Sequence, residues 1–193
     1  MTPPDRRRMV AVIGDGGIAA GSSKYVLARE VGRVLCERGF RIVTGGLGGV
    51  MEAASLGARE SSAWTPGSVI ALLPGFDPDH ANPYADVVIP TGLDHLRNSL
   101  VVQADAVVAI GGGAGTLTEI GLAWIYRRLI VALRVEGWSG ELADRRIDER
   151  IRYAEIVDDR VFGASDAVEA ADIVTARIDE YGRRHSGIRS RGP

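Results

Sequence analysis

The chain alternates between short, uninterrupted apolar runs and longer segments in which apolar residues recur every three or four positions. Continuous apolar runs are typical of strands covered on both faces of a parallel sheet, whereas the longer spacing is typical of amphipathic helices. The runs predict strands at 9–13, 42–43, 69–73, 87–89, 106–110 and 129–133, with 155–157 as the candidate for a seventh.

The segments between these runs predict helices at 26–35, 50–59, 93–102, 117–126 and 167–183. The segment 76–85 contains two prolines and is predicted as a loop. Strands that alternate with helices indicate a single doubly wound, Rossmann-like α/β domain over 9–183, with a mainly parallel sheet of about six to seven strands. Residues 1–8 and 184–193 are predicted to be flexible tails.

Glycines cluster in the turns that follow three of the predicted strands. A parallel sheet with right-handed crossovers places these turns at one edge, where open α/β folds bind their ligands. Glycine lets the backbone approach an anion, and a helix that begins there adds partial positive charge. The residues predicted to bind phosphate or a nucleotide are Gly14, Gly45, Gly46, Gly48, Gly49, Gly112, Gly113, Gly115 and Thr116. The alternative for each loop taken singly is a tight turn without a ligand, since none completes the dinucleotide fingerprint or carries a Walker lysine.

Two charged residues accompany the glycine turns. Arg97 shares the apolar face of its predicted helix with Leu93 and Val101, so its guanidinium needs an anionic partner. That partner is a structural carboxylate, a ligand or Glu119. Glu119 has two interpretations: in a capping box with Thr116 it folds back onto the helix start, whereas with an earlier N-cap it faces the ligand site.

Two of the turns also resemble the motifs of a known family. The segment 45–51, Gly-Gly-Leu-Gly-Gly-Val-Met, is similar to the first motif of the LONELY GUY-like (LOG-like) Rossmann proteins, and 112–119, Gly-Gly-Ala-Gly-Thr-Leu-Thr-Glu, is similar to their second. Arg97 lies between them, where the family carries its arginine. The resemblance implies a phosphate site with Arg97 and Glu119 as catalytic residues, and an activity that cleaves the N-glycosidic bond of nucleoside 5′-monophosphates.

A second branch of this family resembles the molybdenum-cofactor carrier and binds a phosphorylated pterin without known turnover. Gly111 stands where the hydrolase signature has proline, and Asn98 stands where the hydrolases usually have lysine. These residues place the sequence nearest to the carrier-like branch, so the alternative function is a carrier or sensor of a phosphorylated pterin (molybdenum cofactor) or nucleotide. Either function implies a phosphorylated small molecule as ligand and no other required cofactor. The family also implies a homodimer or a larger homo-oligomer.

Composition and charge limit the classes of partner and cofactor that are predicted for this protein. The formal net charge is −2 and no aromatic platform accompanies the arginines near the carboxyl terminus, so nucleic acid is not a predicted partner. No apolar run approaches the roughly 20 residues of a membrane span, so no membrane partner and a cytoplasmic location are predicted. Cys36 is the single cysteine, no cluster of ligands calls for a metal, and none is predicted. Lys24 is the single lysine and lies far in sequence from both motifs, so the pyridoxal-phosphate decarboxylase activity that some family members carry as a label is not predicted.

Overall fold

The computed structural model describes residues 6–182 of the chain. Seven strands of this part form one sheet in which every neighbouring pair is parallel. In chain order they are β1 (Met9–Gly14), β2 (Arg41–Thr44), β3 (Val69–Leu73), β4 (Val87–Pro90), β5 (Ala106–Ile110), β6 (Leu129–Leu133) and β7 (Phe162–Ala164). Across the sheet the order is β4-β3-β2-β1-β5-β6-β7, so the chain winds away from β1 in one direction and from β5 in the other. This order confirms the predicted Rossmann-like α/β fold.

Helices cover both faces of the sheet. They are α1 (Ser23–Glu37), α2 (Val50–Glu60), α3 (Asn98–Val101), α4 (Ala114–Ile125), α5 (Trp138–Leu142) and α6 (Ala167–Arg177), with 3-10 turns at Pro78–His80 and Asp94–Arg97. Alternate residues of β1 enter different cores: Val10 and Val12 pack with α1, α2 and α6, whereas Ala11 and Ile13 pack on the side of α3 and α4. Because both faces are buried, the strands are continuous apolar runs in the sequence.

α1 and α2 pack with little space between their backbones. A Cβ atom on Gly32 of α1 would lie 2.0 Å from a carbonyl oxygen of α2, and one on Gly57 of α2 would lie 1.8 Å from a carbonyl oxygen of α1. Only glycine fits at these two positions without moving the helices apart. The contact holds the amino end of α2 beside the turn after β1, where the Val50 N–H donates to the Asp15 carbonyl oxygen at 2.9 Å.

Several predicted elements differ from the structure. The seventh strand is β7, and the prediction of a strand at 155–157 is wrong, because Val157 there is 97% exposed in an irregular segment. The helix predicted at 93–102 begins as a 3-10 turn and continues as the short α3. α4 begins earlier than predicted, at Ala114, and α6 ends earlier, at Arg177. The short helix α5 has no counterpart among the predicted elements, since five residues are too few to show a helical period.

The ends of the chain lie partly outside the described residues. The arginines at 6–8, which belong to the predicted amino-terminal tail, form ion pairs with two aspartates and donate hydrogen bonds to backbone carbonyls. The remaining parts of the predicted tails, 1–5 and 184–193, fall outside the described part of the chain, as does the predicted helix end at 183. Between residues 6 and 182, no helix is long and apolar enough to cross a membrane.

Candidate functional site

A cavity of about 260 Å³ opens at the carboxyl ends of β1 and β5. This is the topological switch point of the sheet, because the chain winds away from these two strands in opposite directions. The predicted site residues that line it are Gly14, Gly45, Arg97, Gly113, Gly115, Thr116 and Glu119. The structure therefore brings together glycines from three different turns and both of the predicted charged residues.

The other predicted glycines, Gly46, Gly48, Gly49 and Gly112, do not line this cavity. Gly49 has a φ of +65°, and a Cβ atom there would lie 2.3 Å from a carbonyl oxygen of the turn after β1. A Cβ atom on Gly46 would lie 2.7 Å from a leucine side chain of β3, and one on Gly112 would lie 2.2 Å from the Thr116 hydroxyl. Close packing explains glycine at these three positions, and their role in phosphate binding stays a prediction.

α4 presents its amino terminus to the cavity. The first helical hydrogen bond runs from the Leu117 N–H to the Gly113 carbonyl oxygen at 3.0 Å, and the N–H groups of 114–116 have no acceptor within residues 6–182. Free N–H groups and the helix dipole together favour an anion at this point. Because the helix begins at Ala114, Glu119 lies in its second turn, and the capping-box alternative is wrong.

Arg97 and Glu119 form a buried ion pair in the cavity wall, with Nη1 of Arg97 3.5 Å from Oε1 of Glu119 and both side chains 9% exposed. The same Nη1 donates to Oδ1 of Asn98 at 2.9 Å. The buried Nε of Arg97 has no acceptor in the described part of the chain. A buried donor without an acceptor is costly to the folded state.

Burial dominates the titration of this pair. It raises the pKa of the Glu119 carboxyl to about 7, against the smaller opposing effect of the Arg97 guanidinium. Burial also lowers the pKa of Arg97, which Glu119 opposes, and a guanidinium remains charged at neutral pH. A carboxyl that titrates near neutrality is suited to exchange a proton with a substrate or with water.

The raised pKa of Glu119 predicts a pH-dependent stability. Between about pH 4.5 and pH 7 the native carboxyl holds a proton that the unfolded chain has released, so the free energy of unfolding falls as the pH rises through this window. The full difference corresponds to about 3 kcal/mol. Urea unfolding at pH 5 and pH 8 measures the fall in the free energy of unfolding. In the Glu119→Gln variant this fall should be smaller than in the wild type by about that difference. Equal losses in the two proteins would contradict the prediction.

Two buried polar side chains outside the predicted site hold the glycine loops in place. Ser139 of α5 accepts a hydrogen bond from the Gly111 N–H at 2.7 Å and donates one to a β6 carbonyl oxygen at 2.7 Å. Asn82 donates from Nδ2 to the carbonyl oxygens of Gly46 and Leu47 at 3.1 and 3.2 Å. Sequence reasoning missed both residues, because single polar residues in short or irregular segments have no period that distinguishes them.

Gly111, the residue that departs from the hydrolase signature, has a physical reason for being glycine. Its φ is +64°, which proline cannot adopt because its ring holds φ near −65°. A Cβ atom at this position would also lie 2.4 Å from Oδ2 of Asp15 and 3.1 Å from Nζ of Lys24. Glycine at position 111 therefore allows the turns after β1 and β5 to make this close contact.

Gly45 lies under the Arg97 guanidinium, and a Cβ atom there would be 2.3 Å from Nη2. We expect Gly45→Ala to displace the guanidinium and to weaken the binding of inorganic phosphate about tenfold, the value of one charge-assisted hydrogen bond. Titration calorimetry and thermal unfolding measure the affinity and the stability. Gly75→Ala is the control, because nothing lies within 4 Å of its Cβ position and it does not line the cavity. Equal affinities of the two variants would contradict the expectation.

The geometry defines a class of protein: a Rossmann-like α/β domain whose glycine-rich turns, helix amino terminus and buried arginine–carboxylate pair meet at the switch point of the sheet. The chain belongs to the SLOG cluster4 family, whose model matches residues 7–164. Between 6 and 182 no three His, Cys, Asp or Glu side chains are grouped as metal ligands.

Comparisons with known proteins agree with this assignment. The molybdenum cofactor binding protein of the phototrophic bacterium Rippkaea orientalis is similar in structure, with a TM-score of 0.74 and 28% identity over 90% of this chain and 99% of that chain. The molybdenum cofactor carrier protein of Chlamydomonas reinhardtii has a TM-score of 0.70 and 26% identity over 89% and 98%. The cytokinin riboside 5′-monophosphate phosphoribohydrolase of Mycobacterium tuberculosis is 36% identical over 101 residues, which are 51% of this chain and 52% of that protein. These similarities confirm the LOG-like resemblance and the nearness to the carrier-like branch.

Proposed function

We propose that this protein binds the 5′-phosphate of a nucleotide in the cavity and hydrolyses the N-glycosidic bond of a nucleoside 5′-monophosphate. The observation that carries the proposal is the buried pair of Arg97 and Glu119 in the same cavity wall as the free N–H groups of α4. A site for phosphate and a carboxyl with a pKa of about 7 therefore share one small cavity. The similarity to the phosphoribohydrolase of Mycobacterium tuberculosis supports this activity.

The amino terminus of α4 holds the phosphate in this proposal. The N–H groups of 114–116 point their partial positive charge at the phosphate oxygens, and the Thr116 hydroxyl adds a donor. Arg97 lines the cavity and contributes a full positive charge beside the phosphate. Gly113 and Gly115 leave room for the ligand, since nothing lies within 4 Å of the position of a Cβ atom on either.

Glu119 acts on the sugar. Hydrolysis adds a water oxygen to C1′ of the ribose while the bond from C1′ to the base nitrogen breaks, and the base leaves with the bonding electrons and takes up a proton from the solvent. Positive charge develops on the sugar ring, as in glycoside hydrolysis, and an ionised carboxylate stabilises that charge and accepts the proton of the water. The products are the free base and ribose 5-phosphate.

A second candidate function is a carrier or sensor that binds a phosphorylated pterin or nucleotide without turnover. The observation that favours it is the structural similarity to the cofactor-binding protein of Rippkaea orientalis and to the carrier of Chlamydomonas reinhardtii. Gly111 and Asn98, the two departures from the hydrolase signature, point in the same direction. Both candidates use the same phosphate site, and they differ in whether the sugar bond is cleaved, because ground-state binding alone does not catalyse.

A turnover assay separates the two functions. Purified protein is incubated with AMP and with a prenylated adenosine 5′-monophosphate, and free base is quantified by chromatography, with the Glu119→Gln variant as the background reference. The proposal expects base release well above this reference. No release from either nucleotide, with thermal stabilisation by the same nucleotides retained, would overturn the hydrolase proposal and support the carrier. No stabilisation by any phosphate compound would overturn both.

A further inference from the structure

An ion pair that the proposed chemistry does not use lies at the cavity wall. Asp15, in the turn after β1, lines the cavity, and its Oδ2 accepts a hydrogen bond from Nζ of Lys24 at 2.9 Å. The two side chains are 26% and 21% exposed. Lys24 is the only hydrogen-bond partner of the Asp15 side chain within the described residues, so Oδ1 remains an acceptor without a donor.

The position of this carboxylate is fixed from three sides. Lys24 holds it from α1, and the backbone carbonyl of Asp15 accepts the Val50 N–H of α2. On the third side, Gly111 leaves the space that the carboxylate occupies, since a Cβ atom there would lie 2.4 Å from Oδ2. The carboxylate therefore lies between the turns after β1 and β5, at the switch point where a ligand would bind.

A fixed carboxylate in the wall of an anion-binding cavity selects among ligands. It accepts hydrogen bonds from hydroxyl groups, and it repels a second phosphate placed beside it. The ammonium of Lys24 offsets the cost of partly burying the negative charge. The arrangement suits a phosphate monoester whose sugar carries hydroxyl donors, and it disfavours a sugar that lacks them.

We propose that Asp15 is a specificity-determining residue whose carboxylate accepts a hydrogen bond from a sugar hydroxyl of the ligand, and that Lys24 is its positioning residue. This inference rests on the proposed binding of a nucleoside monophosphate in the cavity and adds the part of the ligand that is selected. It applies equally to a hydrolase and to a nucleotide carrier, because it concerns ground-state binding.

The test compares three probes by titration calorimetry: inorganic phosphate, AMP and 2′,3′-dideoxyadenosine 5′-monophosphate. All proteins carry Glu119→Gln so that AMP is not consumed. The parent protein is expected to prefer AMP over the dideoxy compound by about tenfold to a hundredfold, the value of a charge-assisted hydrogen bond. Asp15→Ala should reduce this preference to within about twofold without weakening the binding of inorganic phosphate. The matched control is Asp79→Ala, an exposed aspartate outside the cavity wall, which should behave like the parent protein.

Lys24 has its own comparison. Lys24→Met should lower the preference for AMP over the dideoxy compound, whereas Lys24→Arg, which keeps the positive charge, should retain this preference. A preference that survives Asp15→Ala would overturn the inference, and so would an equal loss of affinity for all three probes, which would indicate a merely structural role. Failure of the parent protein to bind inorganic phosphate and AMP would overturn the proposed function and this inference with it, a result distinct from the first two.

Discussion

Replacing Glu119 by glutamine is expected to lower the rate of base release from AMP by at least about a hundredfold, the lower range for a residue that transfers a proton. Glutamine has nearly the same shape as the carboxyl but neither accepts the proton of the attacking water nor stabilises positive charge on the sugar. The phosphate site is expected to survive, because the N–H groups of α4 are unchanged and the Arg97 guanidinium stays charged when residue 119 is neutral.

The measurement is kcat and KM for AMP, together with the affinity for inorganic phosphate. The expected pattern is a large loss in kcat with little change in phosphate affinity, which identifies an interaction made in the transition state. Glu141→Gln is the control, since Glu141 is exposed on α5 and does not line the cavity. A Glu119→Gln rate within about threefold of the wild-type rate would remove Glu119 from the chemistry.

The second large effect concerns Gly113, the N-cap residue of α4. Gly113→Val is expected to weaken the binding of inorganic phosphate and AMP more than about a hundredfold, because the side chain would stand over the free N–H groups that hold the phosphate. The fold should persist, since nothing lies within 4 Å of a Cβ atom at this position. Calorimetry measures the affinity, and thermal unfolding checks the fold.

Gly17→Val is the control for this substitution. Gly17 is exposed in the turn after β1, has an equally open Cβ position and does not line the cavity. The two variants should unfold at similar temperatures, whereas only Gly113→Val should lose phosphate binding. Unchanged phosphate affinity in a folded Gly113→Val protein would show that the phosphate site lies elsewhere.

The strands were predictable because the sheet is buried on both faces. Each residue of β5, β6 and the segment 9–13 of β1 faces one of two cores, so the apolar run is unbroken and its length marks the strand. β7 lacks this signal: it is three residues long, contains Gly163 and pairs with β6 alone at the edge of the sheet. A short edge strand is stabilised by tertiary contacts, and the local sequence pattern carries no information about these contacts.

The candidate site was predictable in its parts and less so in its geometry. Parallel topology alone brings the turns after β1, β2 and β5 to one edge, so the grouping of Gly45 with Gly113 followed from the order of elements. The choice between the two interpretations of Glu119 depended on where α4 begins, and helix boundaries are poorly marked when glycine replaces a polar N-cap. The supporting residues Ser139 and Asn82 act through long-range hydrogen bonds, which no short motif encodes.

The contact between Asp15 and Gly111 has a consequence for how this site can change during evolution. A proline at 111, as in the hydrolase signature, would require the backbone to leave its left-handed conformation and would place a ring against the Asp15 carboxylate. Loss of Asp15 first would leave Lys24 without the ion-pair partner it has here. Either order of the two changes therefore begins with an unfavourable step, and we expect positions 15 and 111 to covary among relatives. A loop with Asp15 and Gly111 is therefore not easily converted by single substitutions into a loop with proline at 111.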